Sequence, residues 1–326
     1  RSIFCGGPAN RSLKANFERC LERVNRRLAS FECKTTLQRT RALLQKQVFD
    51  KTNIESEIYL MNMPTGSGKT LCSLKFALER AIHSNKKRII YIIPFNSIID
   101  QTAETFERIL ENDAEILRHQ STFSYDDRED YSEDYRLTAK LAAENWDAQL
   151  IITTAVQFFE SIYANKRGKL RKLHNMADSV LIFDEAHLMP QNYLQPCLTA
   201  IGYITKYLNS EAVFLTATMP DFRDLVVKYG LPNNKIADLV DDTTPFSIFQ
   251  KCAYQDAGLL SDQALLQKAK QSPSSLIVVN KRATAVRLYQ LCGGKKYHLS
   301  TYMTALDRQR VIGEIKDELA DRKSTR

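Results

Sequence analysis

Three short runs hold residues whose types and spacing could handle a chain of phosphates. The first is Met63-Pro64-Thr65-Gly66-Ser67-Gly68-Lys69-Thr70, between an apolar run and an amphipathic one. Glycines there allow backbone N–H groups to turn inward and cradle phosphate oxygens, and a following helix adds positive charge at its N-terminus. In that setting Thr65, Gly66, Ser67, Gly68, Lys69 and Thr70 are the nucleotide-binding candidates. Lys69 would reach the β- and γ-phosphates, and the Thr70 hydroxyl would hold Mg²⁺. The strict pattern has glycine five residues before Gly68, where Met63 stands. A plain glycine-rich turn between strand and helix is the alternative.

The second run is Val180-Leu181-Ile182-Phe183-Asp184-Glu185-Ala186-His187. A carboxylate at the tip of a buried parallel strand can orient Mg²⁺, and a second can polarise water. Asp184 takes the metal role with Thr70, and Glu185 that of general base. Alone, the run could equally be an acidic helix cap. Lying 115 positions after Lys69 on another strand of one sheet, it points instead to nucleoside triphosphate hydrolysis. The third run, Leu215-Thr216-Ala217-Thr218-Met219-Pro220, places two hydroxyls at a strand end and means little by itself.

Elements able to position these residues recur along the chain. Strand-type runs at Ile58–Met63, Arg88–Ile93, Glu115–Arg118, Gln149–Thr153, Ser179–Phe183 and Ala212–Thr216 alternate with amphipathic helices such as Lys69–His83, Ser97–Leu110 and Gln191–Leu208. Such alternation predicts an α/β fold with a parallel sheet. The strand runs are almost continuously apolar, as expected of a sheet with helices on both faces. Residues 10–49 read as helical, with Thr35, Thr36 or Thr40 available as a cap. Further strands are expected at Phe249–Tyr254, Ser275–Val279 and Tyr297–Leu299, beyond a boundary in the Pro- and Asn-rich stretch 231–245. The domain reading is 1–50 as a basic helical lead-in, 51–235 as a nucleotide-binding domain and 241–326 as part of a second. Ser121–Asp134, acidic and aromatic without period, reads as a loop.

The 326 residues carry 46 Lys and Arg against 38 Asp and Glu, a net charge of +8. Residues 1–60 are net +6 and 241–326 net +5, while 61–240 are net −3. A basic balance favours polyanionic partners, but only weakly. Apolar runs fall far short of the roughly 20 residues a membrane span needs. No secretory signal peptide is read, and the first residue, Arg1 rather than Met, leads us to expect a cropped chain. Seven scattered cysteines without a CxxC pair suit reduced thiols and a cytoplasmic location rather than a disulfide framework or a zinc site. No histidine is followed by Asp, so a His-Asp phosphohydrolase site is not in this stretch.

Pro64–Thr70, Asp184–His187 and Thr216–Thr218, in that order, resemble motifs I, II and III of superfamily 2 helicases. Tyr91–Gln101 resembles motif Ia, and Thr153-Thr154-Ala155-Val156-Gln157-Phe158 motif Ic. The wording of Asn62–Thr70, Ile93–Ile99, Asp184–His187 and His298-Leu299-Ser300-Thr301 is similar to the CRISPR-associated helicase–nuclease of type I systems. The resemblance spans roughly 55–320. It implies a RecA-like sheet of the P-loop NTPase kind, with the second RecA-like domain present only in part. It also implies ATP and Mg²⁺ as cofactors and His187 as a fourth catalytic residue. Single-stranded DNA, traversed 3′ to 5′, and an RNA-guided CRISPR surveillance complex are the implied partners of a monomeric motor. Asn96, Ser97, His119, Gln120, Thr153, Thr154, Asn280 and Lys281 become strand-contacting candidates, each otherwise an ordinary cap or loop residue. Thr216 and Thr218 would couple the two sites. Gln38, Arg39 and Arg41 could read adenine or form a basic helix face. The basic run Lys166–Lys172 is either a solvated loop or a DNA contact. Trp146 and the tyrosines could stack bases, although most aromatics belong in a core.

The resemblance is incomplete at both ends. The family's His-Asp nuclease domain has no counterpart in these residues, and neither do the motif V strand and the motif VI arginines that complete the ATPase site. Weak hydrolysis by this segment alone is therefore expected. A DEAH-type RNA helicase and an ATP-binding segment without turnover are the rival readings.

Overall fold

The computed structural model describes residues 13–119, 142–165, 167–217, 222–250 and 252–324. Gln120, Thr218, Lys166 and the 121–134 stretch lie outside the described residues. The chain divides into two compact units, residues 1–251 and 252–326.

The first unit is built on a seven-stranded sheet, every neighbouring pair parallel: β1 (Ile58–Asn62), β2 (Arg88–Ile93), β3 (Ile116–His119), β4 (Leu150–Thr154), β5 (Ser179–Phe183), β6 (Glu211–Thr216) and β7 (Ile236–Asp238). Their spatial order is β3-β4-β2-β5-β6-β1-β7. The central strands are buried along nearly their whole length because both faces are covered. Alternate residues divide between two cores. Tyr59, Met61, Tyr91, Ile182 and Leu215 face one, and Leu60, Ile92, Leu181, Phe183 and Phe214 face the other.

Four helices supply the first core: α1 (Leu13–Ala29), α2 (Thr36–Asp50), α3 (Lys69–His83) and α4 (Asn96–Leu110). The lead-in is thus part of the first unit: Phe17, Val24, Leu44 and Val48 are buried in its core. Thr35 is the cap of α2, in a reciprocal capping box with Gln38. The opposite face carries α5 (Ala155–Tyr163), α7 (Leu194–Tyr207) and α8 (Phe222–Tyr229), with the short α6 (Arg167–Leu170) following α5. A buried bidentate pair joins α3 to β6, with Arg80 Nε and Nη2 each 2.8 Å from an oxygen of Glu211. Cys20, Cys33, Cys72, Cys197, Cys252 and Cys292 are free thiols. No helix among the described residues is long and apolar enough to cross a membrane.

The division of the chain falls later than the 231–245 boundary expected from Pro and Asn. Residues 236–238 add β7 beside β1. Leu239, Val240 and Phe249 then bury themselves in the α-helical core with Leu44 and Val48. Gln47 takes the N–H groups of Asp241 and Asp242, tying this return segment to α2.

The second unit contains α9 (Asp262–Lys270), α10 (Arg282–Leu291) and α11 (Ala305–Ser324). The three strands expected beyond residue 248 do not form among the described residues. Phe249 ends a 3₁₀ turn of the first unit, and 275–279 and 297–299 are unpaired. Leu276 and Val278 have the right composition for a strand but stand 85% and 82% exposed, with no neighbour to complete a ladder.

Candidate active site

The loop between β1 and α3 leaves the sheet under control. Met63 donates its N–H to the Thr216 carbonyl at 2.9 Å, extending the β1–β6 ladder by one residue. Ser67 N–H then closes a turn on the Pro64 carbonyl. Gly66 and Gly68 both have φ of 86°, in the left-handed region that favours glycine. A Cβ at Gly68 would also stand 2.7 Å from Gln45 Nε2. Two side chains of α2 hold the loop from behind: Arg41 Nε donates to the Gly66 carbonyl at 3.1 Å, and Gln45 Nε2 to the Ser67 carbonyl at 3.0 Å. With those carbonyls held to one side, the loop's N–H groups and the start of α3 are left to receive an anion. Ser67 Oγ is buried without a hydrogen-bond partner. An orphaned hydroxyl at the centre of such a loop fits a phosphate oxygen as its missing partner.

Across the sheet edge, Asp184 continues β5 by donating its N–H to the Ile92 carbonyl at 2.8 Å. Glu185 turns sharply, with φ of 48° and ψ of 50°, unusual for a residue with a long side chain. That turn brings Glu185 Oε1 to 2.9 Å from Lys69 Nζ. Asp184 Oδ1 accepts the Glu185 N–H at 2.9 Å, and Oδ2 accepts the Tyr91 hydroxyl at 3.1 Å. Burial holds the Asp184 carboxyl above the usual range, against the opposing pull of Lys69. Burial and the nearby Asp184 likewise push the Tyr91 phenol well up. His187 Nδ1 lies 3.4 Å from Glu185 Oε2, without the angle of a hydrogen bond. Thr70, the second residue of α3, and Asp184 offer hard oxygens on the two sides of this opening. That donor set fits Mg²⁺, which takes one or two protein oxygens and completes its shell with phosphate and water.

The remaining expected residues fall at several places. Asn96 and Ser97 open α4, His119 ends β3 and Thr153 and Thr154 end β4. In a parallel sheet these lie on the same edge as Lys69 and Asp184. The two threonine hydroxyls already have partners. Thr153 Oγ1 donates to the His119 carbonyl at 2.9 Å, and Thr154 Oγ1 accepts the Gln157 N–H as the cap of α5. Both residues are buried, and so is Thr216 at the end of β6. Asn280 and Lys281 belong to the second unit, at the start of α10. Of the three adenine-reading candidates only Arg41 is joined to the loop. Gln38 Oε1 accepts the N–H groups of Lys34 and Thr35, and Arg39 Nε donates to the Cys33 carbonyl.

Three contributors had no signal of their own in the sequence. Gln45 could have been found from Arg41, one helical turn earlier on the same face. Tyr91 was inside a strand and looked like core. Lys172 was lost in its basic run. Its Nζ is 3.2 Å from His119 Nε2 and 5.5 Å from the ring centre of Trp146. Trp146 is itself fully buried, a core residue rather than a platform for bases. The basic run is not an open strip either, since Lys169 pairs with Glu160 and Arg171 with Glu144. Burial and then Lys172 push the His119 imidazole down to about 3, while burial lowers Lys172 to about 8. Near neutral pH the pair is therefore an ammonium donating to a neutral imidazole.

The chain is 30% identical over 182 residues to the CRISPR-associated nuclease/helicase Cas3 of Haloferax volcanii, covering 50% of this chain and 19% of that protein. It is 23% identical over 282 residues to the ATP-dependent DNA helicase Hel308 of Methanococcus vannielii, covering 80% and 34%. The crystal structure of T. fusca Cas3 aligns with a TM-score of 0.47 at 19% identity, over 60% of this chain and 23% of that one. The chain thus spans about a third or less of the length of these relatives. Residues 42–225, from the middle of α2 into α8, match the DEAD/DEAH box helicase family. With its RecA-like parallel sheet, its glycine loop at Gly66–Thr70 and its Asp184-Glu185 strand tip, the chain belongs to the DEAD/DEAH box helicase family.

Proposed function

We propose that this chain is the motor part of an ATP- and Mg²⁺-dependent helicase that translocates on single-stranded DNA in type I CRISPR interference. The observation that carries the motor reading is the convergence of Lys69, Asp184 and Glu185 at the carboxyl ends of β1 and β5, with Lys69 Nζ and Glu185 Oε1 2.9 Å apart. The 30% identity to the Haloferax protein supports the CRISPR branch.

In this reading the loop N–H groups bind the β- and γ-phosphates of ATP. Lys69 exchanges its carboxylate partner for phosphate oxygen. Thr70 and Asp184 would hold Mg²⁺, which supplies charge neutralisation of the triphosphate when bound. Glu185, released from Lys69, accepts the proton of the attacking water. His187, beside Glu185, keeps that carboxylate oriented. In the first unit Asn96, Ser97 and His119 would contact the phosphate backbone of the strand, and Gln120, Asn280 and Lys281 are further candidates for such contacts. An RNA-guided CRISPR surveillance complex would deliver the DNA, and the motor would work as a monomer in the cytoplasm.

The test is steady-state phosphate release without nucleic acid, with single-stranded DNA and with RNA. Stimulation by DNA is expected. Stimulation by RNA alone would make it an RNA helicase, and binding of ATP without turnover would reduce it to a nucleotide-binding segment.

A further inference from the structure

Tyr91 lies in the middle of β2, opposite Ile182 of β5, and is fully buried. Its ring meets Phe106 of α4 edge to face, with centroids 5.3 Å apart. A phenylalanine would fill that place equally well. The hydroxyl is what needs a reason, since a buried polar group costs stability unless it is bonded. It donates to Asp184 Oδ2 at 3.1 Å and lies 3.4 Å from Ser73 Oγ of α3. A phenol has a single proton and an ionised carboxylate only accepts. Tyr91 therefore donates to Asp184, while Ser73 of α3, packed against the phenol, gives its own proton to the Thr70 carbonyl at 3.0 Å.

This one group spans the gap between the two elements that carry the metal candidates, the first turns of α3 and the tip of β5. The other oxygen of Asp184 is held by the Glu185 N–H. Both carboxylate oxygens are thus fixed from inside the protein, and each keeps a lone pair for the outer side. We propose that Tyr91, through its hydroxyl, is a positioning residue that presets Asp184 relative to Thr70 for a divalent cation. The inference rests on the nucleotide-site reading above and adds a residue to it.

Partners of metal ligands in the layer behind them are typically worth about 10–100-fold in metal affinity. The experiment compares wild type with Tyr91→Phe in titrations of a fluorescent ATP analogue, in EDTA and across a range of Mg²⁺, with Mn²⁺ binding followed by EPR. The expected result is equal nucleotide affinity in EDTA and a Mg²⁺ half-saturation raised about tenfold, matched by weaker Mn²⁺ binding. Phe106→Leu, which loosens the ring but leaves the hydroxyl, should lower the melting temperature and leave the Mg²⁺ half-saturation alone. Should Tyr91→Phe not fold, Ser73→Ala, which removes the α3 hydroxyl packed 3.4 Å from the phenol, should raise the half-saturation by a smaller factor. Unchanged Mg²⁺ and Mn²⁺ dependence in the hydroxyl variants, or an equal shift from Phe106→Leu, overturns the proposal. A wild-type chain whose nucleotide affinity ignores Mg²⁺ would overturn the nucleotide-site reading itself.

Discussion

Lys69 Nζ and Glu185 Oε1 form an ion pair at 2.9 Å across the mouth of the glycine loop between β1 and α3. Each is therefore partnered by the other, and in the proposed function ATP competes with Glu185 for Lys69. Lys69 is 9% exposed and Glu185 30%. Pairs of this partly exposed kind are worth about 0.5–1 kcal/mol. We predict that Glu185→Gln binds ATP roughly two- to fivefold more tightly than wild type, yet fails to hydrolyse it, because an amide cannot take the proton of water. Lys69→Ala should lose nucleotide binding. Equilibrium binding and single-turnover hydrolysis by the two variants decide the matter. Wild-type turnover by Glu185→Gln would remove Glu185 from its role as base.

Gly68 and Gln45 supply a second prediction. A side chain at Gly68 meets two obstacles, a φ of 86° and the Gln45 amide 2.7 Å from where a Cβ would stand. The backbone obstacle costs about 1–2 kcal/mol for a non-glycine residue. Gln45→Ala removes only the second. Gly68→Ala should lower the melting temperature and weaken nucleotide binding, and adding Gln45→Ala should relieve the crowding alone, leaving the backbone strain and removing the Gln45 bond to the Ser67 carbonyl, so that recovery is partial at most. Full recovery in the double variant would show that crowding alone, not φ, makes glycine necessary there.

The parts legible in the sequence are those written by local pattern. β2 and β5 begin and end where their apolar runs do, because both faces of each are buried. β7 was not legible: Ile236–Asp238 follows Pro232, Asn233 and Asn234, and its pairing comes from the exposed edge of β1 rather than from its own composition. The reverse error occurs at Ser275–Val279, which has strand composition and no neighbour. In the site, Lys69, Thr70, Asp184 and Glu185 follow from glycine spacing and a carboxylate at a strand tip. Tyr91, Gln45 and Lys172 act through partners 93, 22 and 53 positions away, a distance no periodicity carries.

Strand binding should betray backbone contacts. Log affinity for single-stranded DNA is expected to fall with log salt by about 0.7 for each phosphate neutralised, and to vary little with base sequence. Charge reversal at Lys281, an exposed residue at the start of α10, should lower that slope by about one contact's worth. Titrations at several salt concentrations with mixed and homopolymeric strands test both statements. A marked preference for one short sequence at fixed salt would contradict a motor that must pass every sequence.

The last prediction concerns acid. His119 ends β3 with its imidazole pushed from 6.5 down to about 3 by burial and by Lys172. Its Nε2 accepts from the Lys172 ammonium, and a proton there would set two cations 3.2 Å apart. The unfolded chain takes up that proton near pH 6.5, while the folded chain resists it until about 3. The folded pKa is the lower one, so the stability linked to His119 is complete above pH 6.5 and is lost as pH falls toward 3. Within that window one extra proton on the unfolded state corresponds to a slope of about 1.4 kcal/mol per pH unit. The facing groups are Lys172 and the Thr153 hydroxyl, 3.5 Å from Nδ1, with Trp146 against the ring. Among the described residues no carboxylate contacts the ring to offset the charge. His119→Gln keeps an acceptor for Lys172 and has no proton to gain, so its stability curve should be flatter between pH 6 and 4 by that slope. Denaturant melts of the two proteins across this range give the answer. Parallel curves would mean that His119 protonates freely in the folded state, and that its bond to Lys172 does not govern its charge.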